Sequence, residues 1–240
     1  MKALKQFYKV KESRDEKVVG KDFSQAYKFI KGYNPDAPNA FFSLYKFEDL
    51  PDENYNPNLD GVMISGPSKL TDFVGNAFSD SILIFSAKAK EVLDKYNLCP
   101  HRIYPLGLYR RKIKYDYFLM KTNSGFANYV DFKKSTCAVY NMKDDVFIAP
   151  LDIVFQNKED FYIRIKEIND QIEDAADSIW HCLQVNKMVV QPSYYYSMDF
   201  IISFVNGQEI FVSERLKNAI EEANLTGWEF HLTDELVVEE

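Results

Sequence analysis

The chain reads as an α+β fold, a single mixed domain of short, mainly antiparallel strands with a few helices. Three observations predict it. Aromatic residues reach 15%, with 19 Phe and 16 Tyr against 9 Gly, a balance that favours packed strands over linkers. Asn206-Gly207 sits between two apolar runs as a two-residue hairpin turn. A strand running into a serine-capped helix also occurs twice. Ile84-Phe85-Ser86 through Asn97-Leu98 matches Phe211-Val212-Ser213 through Asn224-Leu225 without a gap at an offset of 127, with Ser86, Lys90, Asn97 and Leu98 identical in the second copy. The repeat suggests two pseudo-related strand–helix–strand lobes within the one domain. No long linker separates them, so residues 1–60 are read as an N-terminal extension of the same fold and 61–240 as its body.

Taken in order, Asp22 can cap a short helix carrying Phe23, Tyr27 and Ile30, with Gly32 as its stop. Residues 41–47 read as an aromatic strand, 48–60 as a Pro- and Asn-rich acidic loop, and 61–65 as a strand. A small helix is expected from Ser68. Residues 81–85 form a buried strand, and Ser86 caps a helix with Ala89, Val92, Leu93 and Tyr96 at helical spacing and Asn97 as its stop. Two strands flank Tyr109-Arg110-Arg111-Lys112, and short strands continue through 129–155. The longest helix is expected over 157–179: Asn157 caps it, and Phe161, Ile165, Ile168, Ile172, Ala175, Ala176 and Ile179 make one apolar stripe. Strands follow at 187–196, 198–205 and 208–212. Ser213 caps a last helix with Leu216, Ala219, Ile220 and Ala223 inward, and Gly227 turns into a final strand.

Composition narrows the function. The 240 residues are 46% hydrophobic and 27% charged, ordinary for a globular chain and unlike disorder. Net charge is −7, which argues against wholesale binding to nucleic acid or an anionic membrane. No stretch approaches a membrane span, the N-terminus lacks the apolar core of a secretory signal, and three scattered cysteines make no disulfide framework. The expectation is a reduced, cytoplasmic protein.

Sites of chemistry are scarce. Cys99-Pro100-His101 and His181-Cys182 lack zinc-site spacing, so no metal and no cofactor are expected. Ser43-Leu44-Tyr45-Lys46 has the S-x-x-K form, but activation requires Lys one helical turn from Ser and this segment reads as strand. No G-x-S-x-G, P-loop, G-x-G-x-x-G or H-E-x-x-H is present. The chain is therefore read as non-enzymatic. Arg110, Arg111, Lys112 and Lys114 between tyrosines are read as a solvated turn, and Tyr194-Tyr195-Tyr196 as a strand with alternate faces.

Charge is uneven along the chain. Residues 144–178 hold ten acids against three bases and residues 209–240 nine against two, each locally −7, which leaves the remainder about +7. Such faces can steer a basic protein partner. The candidate partner-binding residues are Glu159, Asp160, Glu167, Asp170, Glu173, Asp174 and Asp177 on the long helix and Glu221 and Glu222 on the last one.

The C-terminal run from Glu209-Ile210-Phe211-Val212-Ser213-Glu214-Arg215-Leu216-Lys217 to Gly227-Trp228-Glu229-Phe230 resembles a family, the immunity proteins of bacterial polymorphic toxin systems. It looks like the group formerly known only as a domain of unknown function, which ends in a V-S-E-x-L-K helix and a G-hydrophobic strand. Tyr117-Phe118-Leu119-Met120, followed by Tyr129-Val130-Asp131-Phe132-Lys133-Lys134-Ser135, resembles the aromatic strand and aspartate-containing segment of that family. The likeness spans residues 80–232 and is specific at the C-terminal motif. It implies a cytoplasmic, non-enzymatic inhibitor that binds and neutralises a cognate secreted toxin. The motif residues themselves read as scaffold: Ser213 caps, Leu216 and Ile220 pack, and Gly227 turns. A second class of function stays open, a small-ligand or regulatory binding module on the same scaffold. A deep polar-lined pocket favours that class, and a broad acidic surface favours the inhibitor.

Overall fold

The computed structural model describes residues 5–22, 24–47, 49–79, 81–123, 125–144, 146–173 and 181–239. The chain begins with β1 (Phe7–Glu12), the short helix α1 (Glu16–Val19), β2 (Ala26–Phe29) and a 3-10 turn (Phe41–Lys46). Next come β3 (Asp60–Ile64), β4 (Phe73–Val74), β5 (Ile82–Ser86), helix α2 (Ala87–Leu93), β6 (His101–Arg110) and β7 (Ile113–Thr122). A second 3-10 turn (Gly125–Tyr129) leads to β8 (Thr136–Asn141), β9 (Val146–Leu151), α3 (Lys158–Glu173) and β10 (His181–Val189). The chain finishes with α4 (Pro192–Ser197), β11 (Phe200–Ser203), β12 (Glu209–Ser213), α5 (Glu214–Glu222), β13 (Trp228–Leu232) and β14 (Leu236–Val237). The strands form three sheets, ordered β2-β3-β6-β7-β5-β4, β11-β12-β1-β13 and β14-β10-β8-β9, with mainly antiparallel pairing. This is the α+β class expected.

Local expectations fail in several places, and the Asn206-Gly207 turn is part of a five-residue connection between Ser203 and Glu209 rather than a two-residue hairpin. The helix expected from Asp22 is instead β2, whose pairing with β3 outweighs the apolar spacing, and Asp22 accepts from the Ser65 hydroxyl. Residues 41–46 are a 3-10 helix rather than a strand, because Phe41 and Leu44, three apart, eclipse on the face turned to the core. No helix begins at Ser68; the buried serine bridges to Gly20 across a turn. The strand expected over 187–196 stops at Val189, since Pro192 opens α4 and cannot donate to a ladder. The tyrosine triplet therefore lies on a helix, with Tyr194 and Tyr195 buried.

The sequence repeat is a structural duplication. Phe73 and Val74 pair with Phe85 and Ile84, and their counterparts 127 residues on, Phe200 and Ile201, pair with Val212 and Phe211. Ser86 and Ser213 each cap the next helix, accepting from the backbone N–H of Ala89 and Leu216. In the first unit β7 follows β6 through a two-residue turn, Arg111-Lys112, both at positive φ, and lies between β5 and β6. In the second unit that central place is taken by β1, from the start of the chain. Ile103 faces Met120 on β7, and Phe230, 127 residues beyond Ile103, faces Val10 on β1. The second unit is thus a circular permutation of the first with its register kept. The parallel pairing of β3 with β6 has its counterpart in β10 with β14, and β2 in β8.

Two aspartates clasp the units together. Asp72 accepts from the Ser86 hydroxyl at 2.7 Å and from the Thr226 N–H at 3.0 Å, beyond the helix of the other unit. Asp199 accepts from the Ser213 hydroxyl at 2.8 Å and from the Asn97 N–H at 3.2 Å, beyond α2. Asn97 therefore serves the clasp rather than ending α2, which stops at Leu93. Gly227, at φ +106°, is needed where the chain returns, because a Cβ there would collide with the Phe73 backbone. Between the units lies a shared core of matched residues: Phe73 and Phe200, Phe85 and Val212, Ala89 and Leu216, Leu93 and Ile220, Met120 and Val10. Each unit has a second core on its other face.

Candidate protein-binding face

The units differ most between the first two strands of their sheets. In the first unit the connection from β2 to β3 folds back, burying Phe41, Leu44 and Leu59 in its own core. In the second unit the connection from β8 to β10 becomes β9 and α3. Asn141 starts the β8–β9 turn, accepting from the N–H groups of Lys143 and Asp144 at 2.9 and 3.2 Å. The ladder then slips by one residue at Ile148. Among the described residues β9 pairs with β8 alone and is the edge of its sheet.

Helix α3 is held at its start and along one face. Asn157 accepts from the Asp160 N–H at 2.9 Å, and Asp160 accepts from Gln156 N–H at 2.8 Å. Phe161 is fully buried against Phe132 and Phe155, with Ile165, Ile168 and Ile172 packed on the same core. The Asn169 side chain accepts from the Leu183 N–H at 2.6 Å, tying the helix to β10.

What this connection exposes is unusual. Seven of the ten exposed large hydrophobic side chains among the described residues fall between Met142 and Ile163. Ile148 is 55% exposed and Ile163 61%. Asp144, Asp152, Glu159, Glu167 and Asp170 are exposed along the same stretch. Apolar side chains left in water beside charged ones are the usual composition of a protein-binding surface.

The sequence-derived candidates divide. Glu159, Glu167 and Asp170 are exposed on α3, whereas Asp160 is half-buried in the helix cap and lies 3.7 Å from Arg164. Glu173 is the last residue of α3, and Asp174 and Asp177 lie outside the described residues. Glu221 and Glu222 are exposed on α5, which packs on the shared core beside α2, not on the core under α3. Lys217 pairs with Glu221 at 2.7 Å. Sequence reading missed β9 as an exposed edge, although Val146-Phe147-Ile148 carries no polar alternation and so gives the signal in outline.

Other candidate chemistry is absorbed by structure. The Ser43 hydroxyl is buried and bonded to the Ala40 carbonyl and the Tyr55 hydroxyl, while Lys46 is exposed, so the two form no catalytic pair. Burial pushes the Cys99 thiol up to about 11 and the Cys137 thiol to about 12, away from thiolate chemistry. Among the described residues no group of three or more His, Cys, Asp or Glu could hold a metal ion. Arg110 and Arg111 approach the Gly66 carbonyl, and Lys114 pairs with Asp60 at 2.8 Å.

A cleft of about 700 Å³ is lined by Glu12, Arg14, Lys143, Trp228, Glu229 and His231, among others. A smaller one surrounds Asp199, which is fully buried. Burial raises that carboxyl, but Arg215, Ser213, Asn97 and Lys5 outweigh it and hold it below the usual carboxylate range. Beneath the second sheet, Lys9 contacts Glu209 at 2.7 Å and Glu235 at 3.0 Å. Burial, with Glu235 adding to it, pushes the Glu209 carboxyl up to about 7. No helix among the described residues is long and apolar enough to cross a membrane. Compared with known proteins, the chain matches no family model and no curated protein.

Proposed function

We propose that this protein is a non-enzymatic immunity protein, cytoplasmic in the cell that makes it, which neutralises a cognate secreted toxin by stoichiometric binding. One observation carries the reading: exposed apolar side chains and acids are concentrated in residues 142–170, the part of the second unit that the first does not share. An inhibitor of this kind needs a surface rather than a pocket, and acidic residues around an apolar centre speed capture of a basic partner. The resemblance of the C-terminal motif points the same way, while Ser213, Leu216 and Gly227 themselves hold scaffold. The test is to look for a toxin reading frame immediately upstream of this gene and to express that toxin with and without this protein. Cells lacking this protein should die and cells carrying it survive, with a one-to-one complex recovered. Survival without it sinks the reading.

The cleft of about 700 Å³ supports a second reading, a small-ligand module. Trp228 lines that cleft, so its fluorescence should respond to a bound ligand; a metabolite screen that leaves it unchanged removes this alternative.

A further inference from the structure

Resting on that inhibitor reading, we infer that the partner docks by adding a strand to the free edge of β9, and that the added strand is apolar with basic residues at both ends. Natural sheet edges are kept from pairing by charges, bends or covering elements. Six residues, Val146–Leu151, present an apolar edge with no charged side chain and with Val146 through Pro150 all exposed, interrupted only by the slip at Ile148 and by Pro150. Side chains on both faces are apolar, so an added strand would find apolar contacts above and below as well as backbone partners. Pro150 donates no N–H, which leaves the pairing to the residues before it.

Charge selects the occupant. Exposed Asp144, beside exposed Lys143, and exposed Asp152 stand at the two ends of the edge, and Glu159 and Glu167, with Lys166 between them, carry the acidic excess onto α3. A second copy added antiparallel at this edge would bring acidic ends against acidic ends. A strand with Lys or Arg at its ends places opposite charges there instead. The fold permits the role, since the first unit builds the same frame without a counterpart of β9.

The experiment uses the full chain and two synthetic peptides that share an alternating Val-Thr core, one ending in Lys-Lys at both termini and the other in Glu-Glu. Amide hydrogen exchange is read across residues 146–151 at about 1 mM peptide, the affinity range expected of an isolated strand. The expected result is slowed exchange with the Lys-ended peptide only, lost at high salt and reduced about ten-fold in affinity by Ile148→Lys. Ile148 is exposed, so the variant should keep the thermal midpoint, and the two-peptide contrast stands on the unaltered protein in any case. Equal protection by both peptides, or by neither, overturns the proposal. So does self-association in sedimentation that Ile148→Lys abolishes, because the occupant is then a second copy. Undiminished toxin binding by Ile148→Lys overturns strand addition alone. A toxin that never binds overturns the inhibitor reading while the peptide result stands on its own.

Discussion

The two units share a frame, residue for residue, yet differ in what fills it. Where the first unit sets Ile82 and Leu119 in its core, the second sets Glu209 and Lys9 at the corresponding places, as the matching registers show. Where the first clasps with Asp72 alone, the second surrounds its fully buried Asp199 with Arg215 and Lys5. Where the first folds a connection onto itself, the second extends β9 and α3 outward. The paired backbone and matched cores are therefore requirements of folding. Charge and exposure, which duplication does not require, are what set the second unit apart.

The sharpest way to break this comparison is to transplant the residues of the first unit. Lys9→Leu alone leaves Glu209 buried without its cation and should cost about 3–5 kcal/mol in chemical denaturation. Adding Glu209→Ile should bring stability back to within about 1 kcal/mol of the natural protein, if the two frames are equivalent. Next come the clasps. Asp199→Ala should cost about 3 kcal/mol and Asp72→Ala about 1 kcal/mol, since only the former removes a buried, ion-paired carboxylate. Equal losses would show that the extra cations contribute nothing.

Proton linkage gives a smaller effect. Glu209 is raised in the folded state, so its stabilisation is complete below the carboxyl's unfolded range and is lost as pH climbs through about 7. Relative to Glu209→Gln, the natural protein should lose on the order of 2 kcal/mol from pH 5 to pH 8, read from midpoints of urea unfolding. A constant difference would place Glu209 in an ordinary environment. Last, Glu159→Lys with Glu167→Lys should slow toxin association about ten-fold at low salt, whereas Glu221→Lys with Glu222→Lys should leave it nearly unchanged. Stopped-flow rates at two salt concentrations decide between them, and the reverse ranking would move the interface to α5.

Elements whose causes are local were legible in the residues themselves. Ser86 and Ser213 cap helices because a hydroxyl reaches a free N–H two or three residues on, and the apolar periodicity of α3 follows from burying one face. The duplication was also legible, since buried positions recur at a fixed offset. Features that depend on distant partners emerge with the assembled sheets. β2 is a strand because β3 lies beside it, and β1 joins the far unit because a central antiparallel place needed a strand that β13 does not turn back to supply. The same holds for the candidate face. Acidic residues on α3 and α5 look alike in sequence, and only packing seats them on different cores and leaves β9 without a second neighbour among the described residues. Hydrogen bonds and charges near in sequence can be read from spacing, but an edge exists only once the rest of the sheet has formed.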